Sequence, residues 1–95
     1  MFNNQRYVTR GITNTVPLVT QIILWDCIDS MKVERKDYLQ VFRLQKTERG
    51  QRIWHEQEQP PYLYQMDVPC TDAVDAKIFV IDDGTHSTML LAEEY

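Results

Sequence analysis

Four side chains with chemical potential crowd one short stretch near the end of the chain: Asp82, Asp83, His86 and Ser87 in DDGTHS. A serine, a histidine and a carboxylate are the parts of a nucleophilic triad, and two carboxylates with a histidine could serve a hydrolase, a nuclease or a metal ion. The spacing works against each use. A nucleophilic serine needs a strained elbow, usually written GxSxG, which is absent, and three neighbours on one tight turn rarely converge on a single ion. Asp-Asp-Gly does suit a strand reversal, because short acidic side chains bond the local backbone and glycine takes positive φ cheaply. Asp82, Asp83 and His86 therefore stand as the candidate catalytic residues behind a simpler turn reading. No metal and no cofactor are expected.

Two other patterns invite chemistry. His55-Glu56 opens like HExxH, but Gln59 stands where the second histidine belongs, and on a strand His55 and Glu56 would point to opposite faces. Arg43, Lys46, Arg49 and Arg52 cluster around Trp54 and could form a small basic and aromatic platform for nucleic acid. A solvated hairpin tip explains them more simply, and a net charge of −4 argues against general affinity for phosphate backbones. Nucleic acid is not the expected partner. No GxxxxGK[ST] or GxGxxG phosphate cradle occurs.

The elements that must position these residues follow from pattern. Tyr7 to Ile12 reads as a short opening strand with Gly11 as a bulge or its exit. TVPLVTQIILWDCIDSM reads as the single helix, capped by Asn14 or Thr15, with Pro17 in its first turn. Wound at about 100° per residue, Ile23, Leu24, Cys27, Ile28 and Met31 form one apolar stripe, interrupted by Thr20, and should face a sheet. Leu18, Val19, Ile22 and Trp25 lie on the other side with Asp26 and Asp29, so this helix must be covered twice or meet a partner. Leu18, Ile22 and Trp25 are the candidate binding residues. The simpler alternative lays Tyr62, Leu63, Tyr64 and Met66 over them, from a proline-rich connection read as irregular.

YLQVFRLQ and QRIWHEQE, joined through Glu48-Arg49-Gly50, make one hairpin, and AKIFVIDD with STMLLAEE makes a second. The expected fold is α+β: a single helix packed on an antiparallel sheet built from two hairpins plus a short N-terminal strand. With 95 residues and 43% hydrophobic content, residues 1–95 fit a single globular domain with one core. The start, MFNNQRYVTRG, lacks a basic region followed by an apolar run, and no apolar stretch approaches the ~18 residues that span a bilayer. Cys27 and Cys70 lack CxxC spacing and read as reduced, packed thiols. A cytoplasmic location is expected, with no membrane contact.

YVTRGI, ILWDCID, DYLQVFRL, QEQP and above all AKIFVIDDGTHSTMLLAEEY resemble the domain of unknown function 960 family, small proteins of Gram-positive bacteria and their phages. The resemblance covers nearly the whole chain. It implies a cytoplasmic bacterial protein and brings no activity and no functional residue with it. The leading expectation from the residues is a small binding or regulatory module contacting a protein partner or a second copy through the outer helix face; the alternatives are a hydrolase or nuclease using the Asp82, Asp83 and His86 turn and a weak nucleic-acid binder through the hairpin of residues 43–52.

Overall fold

The computed structural model describes residues 1–95. The elements run β1 (Gln5–Val8), α1 (Arg10–Thr15), α2 (Leu18–Asp29), β2 (Leu39–Thr47), β3 (Gly50–Gln57), β4 (Tyr62–Pro69), β5 (Ala76–Asp82) and β6 (His86–Leu91), closed by a 3-10 turn at Ala92–Glu94. All six strands join one sheet in the order β1-β6-β5-β2-β3-β4. The α+β class and both expected hairpins are present. The sheet, however, is mixed, because β1 pairs with β6 in parallel, Gln5 opposite His86 and Val8 opposite Met89.

Strand alternation sorts the sheet into two unlike faces. On one face Phe42, Leu44, Ile53, Ile78, Val80, Met89 and Leu91 are buried against Leu24, Cys27 and Ile28 of α2, with Phe2, Ile12 and Val16 filling the end of the layer. The other face carries Leu39, Val41, Arg43, Trp54, Lys77, Phe79, Ile81 and Leu90 and has no helix over it. No helix is long and apolar enough to cross a membrane.

The helical layer differs from the expected single helix. The opening strand ends at Val8, and Thr9 turns the chain by capping α1: its hydroxyl accepts from the amide of Ile12 at 3.3 Å. Gly11 thus lies inside a helix and not at a strand exit. Its missing side chain is needed there, since a Cβ would meet the Glu94 carboxylate at 2.6 Å. That carboxylate accepts from Thr9 Oγ1 at 2.7 Å and from the amide of Leu91 at 2.8 Å, fastening the last turn of the chain to the start of α1. Asn14 and Thr15 belong to the end of α1 and do not cap α2, whose N-cap position is Pro17 with no side-chain cap.

Leu24, Cys27, Ile28 and Met31 are buried as the helical stripe predicts, whereas Ile23 is only half-buried. Its place is taken by Gln21, which survives burial because its Nε2 donates to the Val16 carbonyl at 2.8 Å.

The segment read as irregular is a full edge strand. Every residue from Tyr62 to Pro69 pairs with β3, Tyr62 with Gln57 and Pro69 with Gly50. Its prolines all sit where a strand tolerates them, Pro60 and Pro61 before the strand and Pro69 as its last residue, so proline content does not make the segment irregular. Being a strand, Tyr62–Met66 does not fold over the outer side of α2. Three buried glutamines tie loops to the sheet. Gln51 exchanges two bonds with the backbone of Val74, at 2.9 Å each, while Gln57 accepts from Gln40 Nε2 and from the Asp37 amide and donates to the Pro60 carbonyl.

Candidate functional site

The terminal stretch is a β5–β6 turn whose members part company. Asp82 points to the covered face, where Oδ2 accepts from the amide of Phe2 at 2.7 Å and Oδ1 from Asn4 Nδ2 at 3.1 Å and from the Gly84 amide at 2.8 Å. The Phe2 bond above all, helped by the other two donors, holds this carboxylate below its ordinary range against the opposing effect of burial. Asp83 turns outward. Its Oδ1 accepts from the amides of His86 and Thr85 and from the Thr85 hydroxyl, which brings its pKa down to about 2. The ring of His86 lies beside it, Nε2 at 3.3 Å from Asp83 Oδ2, and packs edge-on against Tyr7.

Asp83 and His86 therefore meet, while Asp82 and Ser87 belong to the other face. Ser87 is fully buried with its hydroxyl donating to Asn4 Oδ1 at 2.6 Å. The four residues never surround one point where a substrate atom could sit, and none of the four main surface hollows borders the turn. Each polar atom instead finishes a hydrogen bond of the turn or anchors the chain start. No three His, Cys, Asp or Glu side chains are grouped so as to hold a metal ion.

His55 and Glu56 do point to opposite faces. His55 is fully buried, stacked on Phe42 with ring centroids 4.3 Å apart, and burial first and Lys36 second push its pKa down to about 4. The glutamine network fixes its tautomer. Gln40 Nε2 donates to the Asp37 carbonyl and to Gln57 Oε1, so Gln40 Oε1 is left to accept from His55 Nε2 at 2.7 Å, and Nδ1 is the unprotonated nitrogen, without a partner.

The basic cluster expected on the first hairpin is divided by strand alternation. Arg43 and Arg52 share the open face with Trp54, Lys46 projects from the opposite side of β2, and Arg49 sits in the turn. Arg52 is committed to Asp67 through two hydrogen bonds of 2.9 and 3.2 Å. Sequence reasoning missed Lys77, which the register places directly opposite Arg43. Its signal was the alternation of AKIFVID, which puts Lys77 and Phe79 on one face.

The outer side of α2 is the most conspicuous unpartnered surface. Leu18 and Val19 are each 68% exposed and Ile22 is 58% exposed. They are neighbours on the first two turns of the helix, directed away from the buried stripe, and Asp26 and Asp29 continue the same face toward its C-terminal end. Trp25 leaves this group. It leans to the flank, half-buried, with the Arg6 guanidinium 4.7 Å from its ring centre, and Arg6 in turn bonds both carboxylate oxygens of Asp29. Trp25 therefore belongs to the joint between α2 and β1.

Comparison with known proteins follows the fold closely. The family described as "Staphylococcal protein of unknown function (DUF960)" matches residues 5–94. Among solved structures, one described as the crystal structure of the protein of unknown function from Enterococcus faecalis matches with a TM-score of 0.84 and 25% sequence identity, covering 98% of this chain and 92% of that one. No curated protein matches.

Proposed function

Because the chain belongs to this family of proteins of unknown function, we propose its role from geometry: a small cytoplasmic interaction module that docks a protein partner through the first two turns of α2. The observation that carries the reading is the exposure of Leu18, Val19 and Ile22, three adjacent large aliphatic residues at 68%, 68% and 58%, on a helix whose opposite stripe is fully buried. Such a contiguous apolar patch on a small domain is the ordinary mark of a docking surface.

The charge that follows the patch narrows the partner. Asp26 stands one turn beyond Ile22 on the same face and, unlike Asp29, has no ion pair. Two copies meeting through this face would set Asp26 against Asp26 if the helices ran parallel, or Asp26 against Leu18 if antiparallel. Either arrangement strands a carboxylate. A different protein, with an apolar surface and a cation about one helical turn from its centre, satisfies both ends.

The test is affinity capture from bacterial lysate with the parent and a Leu18→Asp, Ile22→Asp variant, combined with sedimentation of each. The reading predicts a protein retained by the parent and lost by the variant at an unchanged melting temperature. Retention of the same set by both, with both monomeric, overturns it.

A further inference from the structure

We propose that the open face of the sheet binds single-stranded nucleic acid, with Trp54 and Phe79 stacking on bases and Arg43 and Lys77 contacting phosphates. This rests on a different face from the helix reading and stands independently of it. The register aligns Lys77, Arg43 and Trp54 in one row across β5, β2 and β3. Like charges directly opposite one another destabilise a sheet, and the one carboxylate that reaches this pair offsets it only in part. Glu56 reaches Arg43 only at 4.0 Å, with both side chains exposed, and Lys77 has no ion pair at all, its ammonium lying 5.7 Å from the Phe79 ring centre. A row of mismatched cations on an exposed face is complemented by a polyanion.

The aromatic residues specify which polyanion. Trp54 is half-buried with its Nε1 donating to Gln65 Oε1 at 3.0 Å, so its ring is held in place on the strand. A shallow hollow lined by Arg43, Trp54, Glu56 and Leu63 opens beside it, a space of about 310 Å³ that would admit a planar base. Phe79 lies on the same face of β5, steadied by an edge-on contact with Tyr95 at 5.7 Å. Rings on either side of β2, with a cation between them, are the recurring arrangement for stacked bases along a charged backbone. A duplex cannot offer its base faces this way, and an acidic peptide without aromatic or apolar side chains has nothing to stack on the rings. The net charge of −4 opposes binding at long range, so the attraction is local and strongest at low salt.

The experiment is fluorescence anisotropy of labelled oligothymidylate and oligouridylate of about twelve residues at low salt, titrated with the parent protein. Arg43→Gln and Lys77→Gln should each weaken binding and flatten the salt dependence by about 0.7 in log–log slope, the value for one phosphate contact to a single strand. Trp54→Ala should weaken it roughly tenfold. Glu56→Gln should tighten it by freeing Arg43, an effect that a damaged fold could not produce. Absence of binding by the parent at low salt overturns the proposal. So does binding indifferent to all four substitutions, or displacement of the oligonucleotide by oligoglutamate of equal length at equal concentration.

Discussion

Nε2 of His55 lies 2.7 Å from Oε1 of Gln40, at a position with no exposure to solvent. The imidazole is kept neutral by burial, with a pKa brought from 6.5 to about 4. Between those values the unfolded chain binds a proton that the folded one refuses, so stability is full above about pH 6.5 and declines as pH falls toward 4, by about 3 kcal/mol in all. Urea unfolding at several pH values across that window measures the decline. His55→Gln, which keeps a donor for Gln40 but does not titrate, should flatten it.

Asp82 governs a lower window. Its carboxyl is held below the usual range, so the stability it contributes is complete above about pH 4 and disappears as pH falls through its folded value. Asp82→Ala strands the buried amide of Phe2 and should cost about 2–3 kcal/mol at neutral pH by thermal unfolding. The double variant Asp83→Ala, His86→Ala removes the bonds that Asp83 accepts on the exposed side of the turn and should melt below the parent, but by less than Asp82→Ala because solvent can replace those bonds.

The helical stripe gives a graded pair. Ile28 is fully buried, and Ile28→Ala should cost about 2–5 kcal/mol, a large part of the ~5–15 kcal/mol available to such a domain. Ile23→Ala, at a half-buried position, should cost clearly less in the same denaturation series.

Gly50 gives the most severe case. It adopts φ +149°, and a Cβ there would collide with the carbonyl oxygen of Val68 and lie 2.6 Å from the amide nitrogen of Cys70. These are backbone atoms of the adjoining strand and the residue just after it, so nothing flexible can yield. Gly50→Ala should lose more than about 3 kcal/mol of stability or fail to accumulate as folded protein, as read by circular dichroism.

Much of this architecture was legible where a residue's own pattern decided its place. The two hairpins followed from alternation and from Gly50 and Gly84, and the buried stripe of α2 from its spacing. What escaped was decided by distant partners. Gly11 looked like a strand exit because nothing local reveals that Glu94 needs the space, and β4 was hidden by prolines whose harmlessness depends on lying at the strand's ends. The site was subject to the same limit. The division of Arg43 from Lys46 was implicit in strand alternation, but the facing of Arg43 and Lys77 needs the register between β2 and β5, which no local pattern encodes.

The parallel pairing of β1 with β6 also sets a schedule. Since β1 is made first and its sole neighbour in the sheet last, a chain emerging from the ribosome holds Gln5–Val8 without a strand to join until His86–Leu91 have been synthesised. Phe2 waits as well, because the carboxylate that receives its amide is Asp82. The β2–β3–β4 meander can assemble during synthesis from near neighbours, whereas the opening strand must close almost the full contour of the chain, a step that loop entropy delays. In the nascent protein β1 is therefore the strand left longest without a partner, and in the finished one it is an edge strand with a single neighbour, which amide exchange resolved along the chain would record as weaker protection at Gln5–Val8 than in the central strands β2 and β5.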